Sequence, residues 1–131
     1  MIRFLLDTNA VIALLNDAQS PLYEKVRRHQ PGSISISSVV VYELYYGAFK
    51  SKRVEHNVSV IEKLQFPVLE FDKEDARETG KIRAMLAQKG TPIGSLDLLI
   101  AGQAKTRNLI LITNNTKEFK RVVGLKIEDW Q

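Results

Sequence analysis

Phe4-Leu5-Leu6-Asp7-Thr8-Asn9 opens the chain with a strand-length apolar run that ends on an acid. Runs of the same kind return at Ile34-Ser35-Ile36, Val68-Leu69-Glu70-Phe71, Leu109-Ile110-Leu111-Ile112 and Leu125-Lys126-Ile127. Longer segments with helical apolar spacing separate them. Strands alternating with helices predict an α/β fold, a mostly parallel central sheet sandwiched between helices in three layers.

The residues between the strands punctuate the helices. Ser20-Pro21 is a cap followed by proline at the first helical position. Asp72-Lys73-Glu74-Asp75 opens a long amphipathic stretch through Ile82, Met85 and Leu86 that stops at Gly90. From Ser38 to about Lys50, the residues Val39, Tyr42, Tyr45, Tyr46 and Phe49 recur at three- and four-residue intervals, which predicts a helix. A further helix is expected from Val54 to Leu64, another after Pro92-Ile93-Gly94, and a short one capped by Thr116 and ending near Phe119.

The chain has 131 residues, 44% hydrophobic and 26% charged, without an internal repeat or a linker, so it reads as one globular unit over 1–131. It has no cysteine, which excludes disulfides, thiolate metal sites and cysteine nucleophiles. Any metal must be held by oxygen or histidine. No apolar run approaches the roughly 18–20 residues that span a bilayer, and the expectation is a cytoplasmic protein. Nineteen Lys and Arg against 15 Asp and Glu give a formal charge of +4, a mild lean toward a polyanionic partner.

Acidic residues carry the functional signal. Asp7 ends the first strand, Glu43 lies early on the helix after the second, Asp97 follows Gly94 in the first turn of its helix, and Asn115 and Glu118 follow the fourth strand. In an open parallel sheet the carboxyl ends of the strands share one edge, where ligands bind. Residues distant in sequence can therefore converge there. Gathered carboxylates repel one another, and a hard divalent cation relieves that repulsion. Such an ion can activate water and stabilise both oxygens of a phosphodiester displacement.

Each acid also has an ordinary reading. Asp7 suits a helix cap, Glu43 a surface position, Asp97 a helix start favoured by the dipole, Glu118 an exposed short helix and Asn115 a turn. Gly47, one turn beyond Glu43, is costly in a helix interior and suggests a close approach to the backbone. Lys50, two turns on, could meet a phosphate. Tyr42 and Tyr45 are expected in the core, with Tyr46 and Phe49 divided between core and interface. His29 and His56 have no acid or base beside them in sequence and read as surface residues.

Four stretches in order resemble one family: Leu5-Leu6-Asp7-Thr8-Asn9, Ser37-Ser38-Val39-Val40-Val41-Tyr42-Glu43-Leu44-Tyr45-Tyr46-Gly47, Pro92-Ile93-Gly94-Ser95-Leu96-Asp97-Leu98-Leu99-Ile100-Ala101 and Ile112-Thr113-Asn114-Asn115-Thr116-Lys117-Glu118-Phe119. They are similar to the motif series of PIN-domain ribonucleases, above all the VapC toxins of bacterial toxin-antitoxin pairs. Gly124 to Trp130 resembles that family's last strand. The resemblance implies that Asp7, Glu43 and Asp97 bind Mg²⁺ or Mn²⁺ and activate water against an RNA phosphodiester bond. It also implies a homodimer, a VapB-type antitoxin that joins it in a hetero-oligomer, and a structured RNA substrate such as initiator tRNA cut near the anticodon. Asn115 stands where many members have Asp, and Glu118 where an Asp before Phe is common, so either completes the site and the number of metals is open. Ser95-Leu96 departs from the family's usual proline and aromatic pair. Lys50 and Lys117 are the expected phosphate contacts.

Two other functions fit parts of the pattern. A haloacid-dehalogenase-type phosphatase also places an Asp after the first strand, but it wants a second acid where this chain has Asn9. A non-catalytic module would use the same acids to hold a structural metal or dock a basic partner.

Overall fold

All five apolar runs form strands, and every pairing between them is parallel. In the computed structural model, which describes residues 1–131, the chain runs β1 (Phe4–Leu6), α1 (Thr8–Asn16), α2 (Pro21–Arg27), β2 (Ile34–Ser37), α3 (Ser38–Phe49) and α4 (Val54–Glu62). It continues through β3 (Val68–Leu69), α5 (Lys73–Lys89), α6 (Ser95–Thr106), β4 (Ile110–Ile112), α7 (Thr116–Phe119) and β5 (Lys126–Glu128). The sheet order is β3-β2-β1-β4-β5. Parallel neighbours need crossovers, and the helices supply them while covering the faces of the sheet. Phe4, Leu5, Leu6 and all of Ile34–Ser37 are accordingly buried.

The caps predicted at Ser20 and Asp72 hold, as does the stop at Gly90. Ser20 accepts from the Tyr23 amide at 3.1 Å, and Asp72 and Asp75 exchange side-chain and backbone bonds in a reciprocal box at the head of α5. Gly90 ends that helix at a φ of 67°, a left-handed turn that glycine adopts without strain. The third strand is shorter than its apolar run. Leu69 and Glu70 turn their carbonyls to the Gln103 amide at 3.2 Å, and Glu70 also accepts from Arg107 at 2.7 Å, so the ladder stops there. Thr116 is the first residue of α7 rather than its cap; Asn115 occupies the cap position without a side-chain bond to the helix backbone.

Helices α5 and α6 pack very closely, because a Cβ at Gly102 would overlap the Thr79 hydroxyl oxygen. Beside this contact Asp75 is fully buried and accepts from Arg107 at 2.9 and 3.3 Å. Gln103 adds a bond to the same carboxylate at 3.3 Å. A buried charge needs such partners, and here they tie α6 to the start of α5.

Candidate active site

Sheet register assembles the site. Leu6 pairs with Ile112 and Ile112 with Glu128. The next residues continue the row, with the Asp7 amide donating to the Ile112 carbonyl and the Thr113 amide to that of Glu128. Asp7, Thr113 and Asp129 therefore follow three adjacent strands at the carboxyl edge. Chain order reverses between β1 and β4, and such a switch point opens a crevice at the strand ends.

Asp7 is 3% exposed, and its Oδ1 accepts from the Ala10 amide at 2.8 Å. It does cap α1, as one of its two readings required. Burial pushes its pKa up, hydrogen bonds from Thr113 and Ala10 oppose that rise, and the charge of Asp129 adds to it. Glu43 is carried to the same edge by α3, whose start is capped by the Ser37 hydroxyl accepting from Val39 at 3.1 Å. Asp97 lies in the first turn of α6. Its pKa is raised to about 6, first by burial and then by the charges of Glu118, Asp7 and Glu43. Asp97 thus feels the charges of three acids that come from three other segments.

Asp7, Glu43 and Asp97 line one open pocket of about 450 Å³, together with Asn9, Ile12 and Gly94. No three acidic or histidine side chains close into a cation cage in this arrangement. The acids ring an open space instead, and none of the three makes an ion pair with a Lys or Arg. The charged donors are all carboxylate oxygens, and they carry like charges. That donor set suits a hard divalent cation, which keeps several waters and takes only a few protein oxygens.

Glu118 stands outside that lining. Its Oε1 accepts from the Gly94 amide at 2.7 Å and its Oε2 from the Asn115 side-chain amide at 3.0 Å. These two donors, Asn115 first, hold its pKa below the ordinary value. Asn115 is thereby joined to Glu118, and its own amide donates to the Thr113 hydroxyl at 2.9 Å. Lys117 is exposed on α7. Lys50 rests its ammonium 4.6 Å from the centre of the Tyr46 ring.

Several expectations change in three dimensions. Tyr42 is 63% exposed rather than core, because it lies on the outer face of α3 opposite Val40, Leu44 and Ala48. Tyr45 does pack against the core, while Tyr46 and Phe49 are exposed. No atom lies within 4 Å of a Cβ built at Gly47, so nothing in the chain approaches its backbone. His56 is exposed as expected, but His29 is half-buried and stacks on Trp130 with ring centres 4.9 Å apart. Sequence reading passed over Thr113 and Asp129. Their signal is positional, since each directly follows a strand that runs parallel to β1.

The PIN domain family matches residues 4–125. The chain is 46% identical to the tRNA(fMet)-specific endonuclease VapC of Shigella flexneri, over 99% of both chains. It is 37% identical to ribonuclease VapC2 of Haemophilus influenzae over the same share. Among solved structures, it superposes on a chain of the DNA-bound VapBC complex of Salmonella typhimurium with a TM-score of 0.95, at 42% identity and full coverage of both. The corresponding score for VapBC2 of Rickettsia felis bound to a promoter DNA fragment is 0.92, at 37% identity. PIN-domain nucleases generally depend on a divalent metal ion, in keeping with the oxygen donors that ring the pocket, and the phosphatase reading falls away. With one family spanning almost the whole sequence and its VapC members matching end to end, this chain belongs to the PIN-domain family, on its VapC branch.

Proposed function

We propose that this chain is a divalent-metal-dependent endoribonuclease, the toxin of a toxin-antitoxin pair, formed by a single nuclease domain over residues 1–131. The observation that carries this is the convergence of Asp7, Glu43 and Asp97 on one open pocket with no basic side chain paired to them. Asp7 and Asp97 hold Mg²⁺ or Mn²⁺, and Glu43 completes the ligand set or orients the attacking water. A bound ion of this type lowers the pKa of water and stabilises the oxygens of an in-line displacement. The reaction adds water across an RNA phosphodiester bond, forming a new phosphorus–oxygen bond as the leaving oxygen departs. The Ala10 amide keeps Asp7 oriented, and Asn115 and Glu118 border the site. Lys50 and Lys117 contact RNA phosphates.

Relatives named as tRNA(fMet)-specific endonucleases support initiator tRNA as the substrate, and we place the cut near the anticodon. Structures of VapBC complexes support a VapB-type antitoxin as the partner in a hetero-oligomer, and the chain forms a homodimer. No helix is long and apolar enough to cross a membrane, and we place the protein in the cytoplasm. The test is incubation of the purified protein with total tRNA and Mg²⁺, with and without EDTA, beside Asp7→Asn. Asparagine caps a helix as well as aspartate, so this variant keeps α1 and removes the charge. Cleavage by wild type alone, abolished by EDTA, is the expected result; equal cleavage by both proteins, or cleavage that survives EDTA, overturns the mechanism.

A further inference from the structure

We infer that Glu118 is a positioning residue that braces the entry to α6, and with it Asp97, and that it is not a ligand of the cation. The inference rests on the metal-dependent reading above. Its basis is a hydrogen-bonded bridge that runs across the mouth of the sheet. The Asp7 amide donates to the Ile112 carbonyl, and the hydroxyl of the next residue, Thr113, accepts from the Asn115 amide; the Asn115 side chain donates to Glu118, and Glu118 accepts from Gly94. Gly94 is the cap residue of α6, with no side chain to satisfy the helix end, and its carbonyl accepts from Leu98 at 2.9 Å. Asp97 lies between these two residues. The end of β1 and the start of α6 are thus linked through residues of the β4–α7 segment.

The turn that follows this short helix holds the strap before α6 a second time. Arg121 donates to the Pro92 carbonyl at 2.8 Å, two residues before the amide that Glu118 accepts. The fully buried Phe119 anchors α7 between these two contacts. Each Glu118 oxygen is already engaged by one N–H donor, and Glu118 does not line the pocket shared by Asp7, Glu43 and Asp97. A carboxylate placed to bind a cation would face that pocket. This one faces the backbone of the segment that carries a ligand.

The experiment compares Glu118→Gln, Glu118→Ala and Arg121→Ala with wild type in the intact chain. Two quantities are read: hydrogen exchange at the Gly94 amide in the metal-free protein by NMR, and Mn²⁺ affinity by calorimetry. Glutamine keeps an oxygen for Gly94, and the Asn115 amide can turn to accept from it. Glu118→Gln should therefore keep Gly94 protection within about threefold and lose only the modest Mn²⁺ affinity due to a neighbouring charge. Glu118→Ala should speed Gly94 exchange about ten- to a hundredfold, the span of a lost charge-assisted bond, and weaken Mn²⁺ more than glutamine does. Arg121→Ala separates the two accounts by sign. Loss of a positive charge alone would tighten Mn²⁺ binding, whereas loss of a brace weakens it.

Equal loss of Mn²⁺ affinity in Glu118→Gln and Glu118→Ala, with Gly94 still protected in both, would make Glu118 a ligand and overturn the inference. Tighter Mn²⁺ binding by Arg121→Ala would do the same. If wild type itself binds no Mn²⁺, the metal-dependent reading fails, and the exchange at Gly94 still decides whether Glu118 braces α6.

Discussion

Two groups of acids in this molecule meet burial in opposite ways. Asp75, sealed between α5 and α6, has Arg107 bonded to both of its oxygens, with Gln103 and the Asp72 region beside it. Burial alone raises its pKa, but the Arg107 bond and the other donors outweigh burial and bring it below the ordinary value. Asp97 is also raised by burial, yet the charges nearest it are Glu118, Asp7 and Glu43, which raise it further to about 6. One cluster carries its own cation. The other is short of one, and a fold tolerates that where an external cation completes the site.

This contrast can be broken most directly by removing the internal cation. Arg107→Ala leaves Asp75 buried and unpaired, and should cost about 3 kcal/mol in urea unfolding; a loss under 1 kcal/mol would show that water replaces the guanidinium freely. Asp97→Asn should lower nuclease activity at least about a hundredfold while leaving the unfolding midpoint of the metal-free protein equal to wild type or higher. A destabilised Asp97→Asn would mean that the rim acids are structural after all.

The two glycines beside these clusters sharpen the difference. Gly102→Ala forces α5 away from α6 and should cost about 2 kcal/mol. Gly47→Ala meets open space within α3 and should gain up to about 1 kcal/mol from helix propensity. Thermal melts of the two variants check both signs.

Acid titration gives the smallest and most specific separation. The lowered pKa of Asp75 makes its contribution present above the unfolded value of 3.8 and lost as pH falls through the folded one. Asp97 has the opposite sign, because its raised pKa destabilises the metal-free fold as pH climbs from 3.8 to about 6. Asp97→Asn should therefore exceed wild type in stability by about 1 kcal/mol above pH 6, after solvent screening, and match it below pH 4. A stability gap that stays constant between those pH values would remove the repulsion from the account.

Much of this was legible in the chain. Apolar runs of strand length, the Ser20-Pro21 and Asp72 caps and the Gly90 stop report local backbone preferences, which neighbouring residues largely decide. Glu43 and Asp97 stood out because an acid amid apolar neighbours calls for a reason. Tyr42 misled because a helix with apolar residues all round does not say which side its neighbours cover; the faces of α3 are told apart only by the packing of Val40, Leu44 and Ala48. Gly47 misled for the same reason, since a costly helical glycine does not reveal whether its surroundings are crowded or open.

By itself, the sequence determined the α/β alternation, the helix ends and the identity of the acids, because these depend on side-chain chemistry and short-range backbone energetics. The tertiary structure alone decided the strand order, and with it the row of Asp7, Thr113 and Asp129 and the placement of Glu118 against Gly94, outside the pocket lining. Strand order and register are set by the burial of whole faces of the sheet. No local stretch of the chain records which residue will stand beside Asp7.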